Sequence, residues 1–281
     1  MVLDRFALTV GRLGPSDPFN LALIAECKND PAEAERLYRE SVAQGNAMAM
    51  VNLGVMLIDR EGSKEEAISL FHKAAERGND SGMRNMGYVN AVGMGIPENK
   101  EESVRLYRMA AERGNAKAQC NLGIMLRSGK GTPKDLNESA KWFTLSAEAG
   151  YFRAQASLAA YYMEGSGVEK DLSKALFWYT KAAENGSSRG MYNLGLMYRD
   201  GIGTERNIDW AEKLFSRSAH KGYPKGMFAL GEILIPRGEK ERAIDFFNSG
   251  AEKGEQRCID ALTAMGLPIP EYTGWAKKKN S

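Results

Sequence analysis

The sequence predicts an all-α repeat protein, and three observations carry that prediction. A glycine recurs at Gly45, Gly78, Gly114, Gly150, Gly186, Gly222 and Gly254, at intervals of 33, 36, 36, 36, 36 and 32 residues. A second ladder of small residues keeps step with it at Ala22, Gly54, Gly87, Gly123, Ala159, Gly195 and Gly231. Between the two, apolar residues recur at helical spacing, as in Ala154, Leu158, Ala159 and Tyr162, and again in Ala175, Trp178, Tyr179, Ala182 and Ala183. Each interval is therefore a pair of amphipathic helices. One pair cannot bury its own stripe and needs neighbours on both sides, so the repeats imply a single elongated unit.

Taken in order, residues 1–14 are a lead-in or cap. The first repeat, 15–45, is the most degenerate, but Pro31 suits the first turn of its second helix. The second, 46–78, has a short turn at Glu61-Gly62-Ser63, with Ser63 as N-cap and Glu66 three residues on, as in a capping box. The repeats at 79–114, 115–150, 151–186 and 187–222 share a longer turn, Gly93-Met-Gly95, Gly129-Lys-Gly131, Gly165-Ser-Gly167 and Gly201-Ile-Gly203. Four residues past each second glycine stands Asn99, Asp135, Asp171 or Asn207, able to cap the helix that follows. The seventh repeat, 223–254, drops the long turn. Residues 255–267 read as one more helix closing the apolar end, and residues 268–281, Pro-broken and ending in three lysines before Asn-Ser, as a flexible tail.

Composition narrows function mostly by exclusion. A net charge of +2 with 26% charged residues gives no global pull toward nucleic acid or membrane, and neither is expected as a partner. No stretch is long and apolar enough to span a bilayer, and Asp4 with Arg5 breaks any secretory pattern. Three cysteines, Cys27, Cys120 and Cys258, fall at unrelated frame positions and look like free thiols, so a cytoplasmic location is expected.

Catalysis has little to stand on. The only histidines are His72 and His220, in repeats far apart, with no metal-ligand spacing and no nucleophile–base order. The Gly-x-Gly turns lack the strand and third glycine of a dinucleotide fingerprint, and their recurrence at one frame position marks structural turns. We therefore expect no enzyme, no catalytic residue, no metal and no small-molecule cofactor.

The pattern seen in Ala118…Leu122-Gly123, in Leu194-Gly195…Tyr198 and in Ala175…Trp178-Tyr179…Ala182-Ala183 resembles the Sel1-like repeat, a relative of the tetratricopeptide repeat with a longer turn. The likeness covers residues 15–254. It implies a right-handed α-solenoid of about seven helix–turn–helix repeats whose first helices line a concave face. It also implies an adaptor or scaffold for a protein or peptide partner. The alternative is an envelope-associated or secreted relative working at a host or cell-wall surface; such relatives carry paired cysteines in each repeat, which this chain lacks.

The first helices hold the candidate site. Two residues before the small-residue ladder stand Asn20, Asn52, Asn85, Asn121, Ser157, Asn193 and Ala229. Asparagine is a mediocre helix former, so its recurrence in mid-helix needs a reason. One turn earlier the row is basic in the last four repeats, at Lys117, Arg153, Arg189 and Lys225. By analogy with the Lys–Asn pairs of tetratricopeptide domains, the concave-face binding set is Asn52, Arg84, Asn85, Tyr88, Lys117, Asn121, Arg127, Arg153, Arg189, Tyr192, Asn193, Arg199, Lys225 and Phe228. These would take a peptide, acidic or with its C-terminal carboxylate engaged. The competing reading has the asparagines hydrogen-bonding the neighbouring turn and the cations merely exposed at helix starts.

Overall fold

The computed structural model describes residue 14 and residues 16–272. The lead-in (apart from its last residue) and the last part of the tail lie outside the described residues. Fifteen α-helices and no strand occur among them. Rather than one unit, the chain divides into two compact ones, Met1–Asp135 and Leu136–Ser281.

The first unit holds α1 (Pro18–Cys27), α2 (Pro31–Ala43), α3 (Ala47–Leu57), α4 (Lys64–Glu76), α5 (Asp80–Val92), α6 (Lys100–Glu112) and α7 (Ala116–Ser128). The second holds α8 (Leu136–Glu148), α9 (Phe152–Glu164), α10 (Leu172–Glu184), α11 (Ser188–Asp200), α12 (Ile208–His220), α13 (Pro224–Leu234), α14 (Lys240–Ala251) and α15 (Gln256–Ala264). Odd-numbered helices up to α13 are the first helices of the repeats and even-numbered ones the second. Within each unit every helix packs on the next in sequence, and first helices also touch the first helices of adjoining repeats.

Local chemistry sets the ends. Asn46, Asn79, Asn115 and Ser187 cap first helices, each side chain accepting a backbone N–H bond from the first turn. Asp30, Asn99, Asp171 and Asn207 do the same for second helices. In the long turns the N–H of the residue just before the second helix reaches back to the preceding helix, as in Asp135 N to Leu126 O at 3.0 Å and Asp171 N to Tyr162 O at 2.9 Å. The turn between needs two residues with positive φ, and Gly129 (+68°) and Gly131 (+71°) supply them. Ser63 departs from expectation. It occupies the N-cap of α4 but makes no side-chain cap bond, because the short turn delivers it with ψ 5° rather than extended, turning the hydroxyl away.

The small-residue ladder has a partner that sequence reading did not pair with it. Second helices carry Tyr38, Phe71, Tyr107, Phe143, Tyr179, Phe215 and Phe247, spaced like the turn glycines and all but fully buried. A Cβ on Gly54 would lie 2.6 Å from the Phe71 ring, and one on Gly195 2.5 Å from Phe215. The first helix must offer no side chain there so that the ring can lie flat on its backbone. The core of each unit is this alternation of ring and gap, filled out by Ala, Leu and Met. At the far end α15 lays Cys258 and Leu262, both fully buried, over Gly250 and the last pair.

Candidate protein-interaction face

The asparagine row has a structural job. Fourteen residues before each member of it from Asn52 on, on the preceding second helix, stands a ring of the aromatic ladder. Asn52 Nδ2 donates to the Tyr38 hydroxyl at 3.0 Å. Asn121 and Asn193 stand in the same frame opposite the hydroxyl-bearing rings Tyr107 and Tyr179. Where the ring is Phe there is no hydroxyl to satisfy. Opposite Phe143 stands Ser157, whose Oγ turns back to the Arg153 carbonyl at 3.0 Å, and opposite Phe215 stands Ala229.

Asn85, opposite Phe71, is the exception: it is 7% exposed, and its Nδ2 has no hydrogen-bond partner. At the chain's start Asn20 is fully buried and donates to Gly14 O at 2.6 Å. Asn52 and Asn20 thus bond within the chain, to a tyrosine hydroxyl and to a carbonyl of the turn before α1. Asn85 is too buried to present an amide to solvent, which corrects its assignment to the binding set.

Burial governs the tyrosines. It pushes Tyr107 and Tyr179 up to about 12, against the opposing pull of the Arg84 and Arg189 charges respectively.

Beyond that row the two units differ. In the first, among the described residues, every large apolar side chain exposed on a helix stands on a first helix: Leu21, Met48, Val55, Tyr88, Val92 and Ile124. Val55 is 53% exposed and Tyr88 47%. Beside them a cavity of about 460 Å³ is lined by Met48, Asn52, Val55, Arg84 and Lys117, with Glu26 at its edge. Apolar side chains, two cations, and Arg127 on α7 three residues beyond Ile124 thus share one face. The sequence-derived set held Arg84, Tyr88, Lys117 and Arg127 but not Met48, Val55, Val92 or Ile124. Helical spacing held the missing signal, since Val92 follows Tyr88 by four residues.

In the second unit the first-helix face is cationic. Arg153, Arg189 and Lys225 are exposed. Tyr192 does not add aromatic surface; it is 8% exposed, wedged between Phe215 and Tyr223 at ring distances of 5.9 and 5.5 Å. Phe228 is half-buried and covered by Arg257, whose guanidinium sits 4.5 Å from the ring centre. Arg199 is turned onto Asp200, Nε to Oδ1 2.7 Å. No group of three or more His, Cys, Asp or Glu residues that would hold a metal occurs among the described residues.

Stacked helical hairpins with a side-chain-rich first-helix face define the class: an all-α helical-repeat protein of the solenoid type. The Sel1 repeat model matches residues 24–46, 47–79, 80–115, 116–151, 152–187 and 188–223, and the chain belongs to that family. A Sel1 repeat protein from Oxalobacter formigenes is 27% identical, with a TM-score of 0.74 over 84% of this chain and 97% of that one. A protective antigen present in uropathogenic Escherichia coli strains is 28% identical, with a TM-score of 0.68 over 94% of this chain but 59% of that protein. Yeast Tom70, at 15% identity and TM-score 0.52, shares the fold alone. No curated protein sequence matches. Sel1 repeat proteins are in general scaffolds for protein interactions, and the fold is typically non-catalytic. No described helix is long and apolar enough to cross a membrane.

Proposed function

We propose that this chain is a non-catalytic adaptor that holds a partner protein on the first-helix face of its first unit. The observation that carries the reading is the confinement of that unit's exposed large apolar side chains to first helices, around a cavity bordered by Arg84 and Lys117. Val55, Tyr88 and Ile124 are anchors for an apolar side chain of the partner, while Arg84, Lys117 and Arg127 orient an acidic group or a terminal carboxylate beside it. The exposed Arg153, Arg189 and Lys225 give the second unit's first-helix face a separate preference for acidic segments.

A cytoplasmic setting belongs to the same reading. It is supported by three cysteines, none of which forms a disulfide to staple a repeat.

The test is affinity capture from the source cell's lysate with wild type beside Tyr88→Ala/Ile124→Ala and Lys117→Glu. All three should give the same circular dichroism, since Tyr88 and Ile124 are exposed and the half-buried Lys117 lies on the surface of α7 rather than in the core. A partner retained by wild type and lost by both variants supports the assignment. A partner captured equally by all three places binding elsewhere and removes it.

A further inference from the structure

The second unit exposes a different surface, on its second helices. Three positions along α8, α10 and α12 face outward in the same frame, the third, sixth and tenth residues of each helix. On α8 they are Glu138, Lys141 and Leu145; on α10, Lys174, Phe177 and Lys181; on α12, Trp210, Lys213 and Arg217. All are exposed except the half-buried Glu138. Five are cations and one is an acid, whereas the whole chain carries a net charge of only +2.

The remaining three, Leu145, Phe177 and Trp210, stand 9, 5 and 2 residues past the first residue of their helices (145 − 136, 177 − 172 and 210 − 208). They step back four residues and then three, one helical turn per repeat, and so draw an oblique apolar line across the three helices. The two aromatics are each 52% exposed. Nothing in the proposed adaptor site uses them.

The surroundings discriminate among partners. Glu148 and Glu184 stand at the C-terminal ends of α8 and α10, and Asp209 and Glu212 near the start of α12 bind Arg237 at 2.8 and 2.7 Å. Acids thus border the cations along the helix axes, and a polyanion or an anionic membrane extending past the patch would meet them. The rings are also poorly placed for base stacking. Trp210 lies against Tyr198 with Lys213 over it at 5.0 Å, and Phe177 has Lys181 over it at 6.0 Å. A narrow apolar line with cations beside it matches one amphipathic helix, whose ridge at i, i+3/i+4 and i+7 crosses other helices obliquely and whose flanks are acidic.

We propose that the second-helix face of the second unit is a further docking surface, and that its ligand is an acidic amphipathic helix of a partner protein. Leu145, Phe177 and Trp210 contact the ridge of that helix, and Lys141, Lys174, Lys181, Lys213 and Arg217 pair with its flanking carboxylates. The surface is distinct from the first-helix face of either unit, so an adaptor built this way holds two partners at once.

The experiment is fluorescence anisotropy on the full chain. The probe is a labelled synthetic helical peptide of about five turns with a leucine ridge and glutamate flanks. Beside it run the same peptide with lysine for glutamate, oligothymidylate, and phosphatidylcholine vesicles containing phosphatidylglycerol. The glutamate peptide should bind and the other three should not. Phe177→Ala and Trp210→Ala should each weaken binding about tenfold with unchanged circular dichroism. Lys174→Glu/Lys213→Glu should do so through charge alone, which keeps the test valid if an aromatic variant folds poorly.

If Arg189→Glu, on the first-helix face, abolishes binding while Lys174→Glu/Lys213→Glu leaves it unchanged, the peptide sits on that face and this surface is not the site. Failure of the glutamate peptide to bind, equal binding of the lysine peptide, or binding of oligothymidylate or vesicles each overturns the proposal. Loss of capture by the Tyr88 and Lys117 variants bears only on the adaptor site, so the two readings fail separately.

Discussion

The two units are built on one frame and dressed in opposite ways. In Met1–Asp135 the exposed apolar side chains of the helices lie on first helices; in Leu136–Ser281 they lie on second helices, while the first helices there offer Arg153, Arg189 and Lys225. What is common to both units is the interior: ring against gap, capped helix starts, and a turn closed by two left-handed glycines. The contrast teaches that in this chain the repeat dictates packing and leaves the outward positions open, so surface chemistry varies without disturbing the core.

If packing is shared, equivalent damage must cost the same in each unit. A Cβ on Gly131 would fall on the Lys100 carbonyl, and one on Gly167 on the Leu136 carbonyl, with φ of +71° and +66° adding strain. Gly131→Ala and Gly167→Ala should each destabilise by about 3 kcal/mol in urea denaturation. Gly129→Ala and Gly165→Ala, whose nearest neighbours are the side-chain carbons of Lys134 and Lys170 at 3.4 and 3.3 Å, should cost about 1 kcal/mol. A large difference between the two units would break the shared frame.

The Tyr–Asn junctions sharpen the comparison further. Tyr107→Phe in the first unit and Tyr179→Phe in the second, opposite Asn121 and Asn193 in the frame where Asn52 bonds Tyr38, should each cost about 1 kcal/mol. The reverse change, Phe71→Tyr, gives Asn85 the hydroxyl it lacks and should stabilise by about 1 kcal/mol. Denaturation midpoints measured on the three variants decide this, and a Phe71→Tyr protein less stable than wild type would refute the junction rule.

A smaller effect follows from pH. Both buried tyrosines titrate near 12 when folded against 10.0 when free. Between those values the unfolded chain has lost a proton that the folded chain keeps, so stability falls as pH rises. The contribution is whole below pH 10.0 and gone above about 12, at about 1.4 kcal/mol per pH unit for each tyrosine. Thermal melts across that window should steepen accordingly, and Tyr107→Phe should remove only the first unit's share.

Much of this fold was legible because its signals are local. A capping Asn or Asp, a turn glycine and an apolar stripe each act within a few residues, and Asn99, Asp171 and Asn207 cap where their positions predict. The site was less legible because exposure depends on neighbours distant in sequence. Tyr192 sits one position from Asn193 and reads as surface, but Phe215 and Tyr223 enclose it. The asparagines suggested ligand contacts because they were compared with one another along the repeat; the explanatory residue was the ring fourteen positions earlier. Ser63 fits a capping sequence and still fails, since a cap depends on backbone angle as well as residue type.

That fourteen-residue pairing has a consequence for how such a chain grows or shrinks. Repeats are often gained and lost whole, yet here each meets the next through a residue pair, a ring and the position fourteen residues on. Removing residues 151–186 would set Asn193 opposite Phe143, an amide facing a ring without a hydroxyl; removing the two repeats 115–186 would set it opposite Tyr107 and restore a match. Modules of equal length are thus not equally exchangeable. On this frame an exchange keeps a match where Tyr meets Asn and Phe meets Ser or Ala, and Asn85 beside Phe71 is a mismatch.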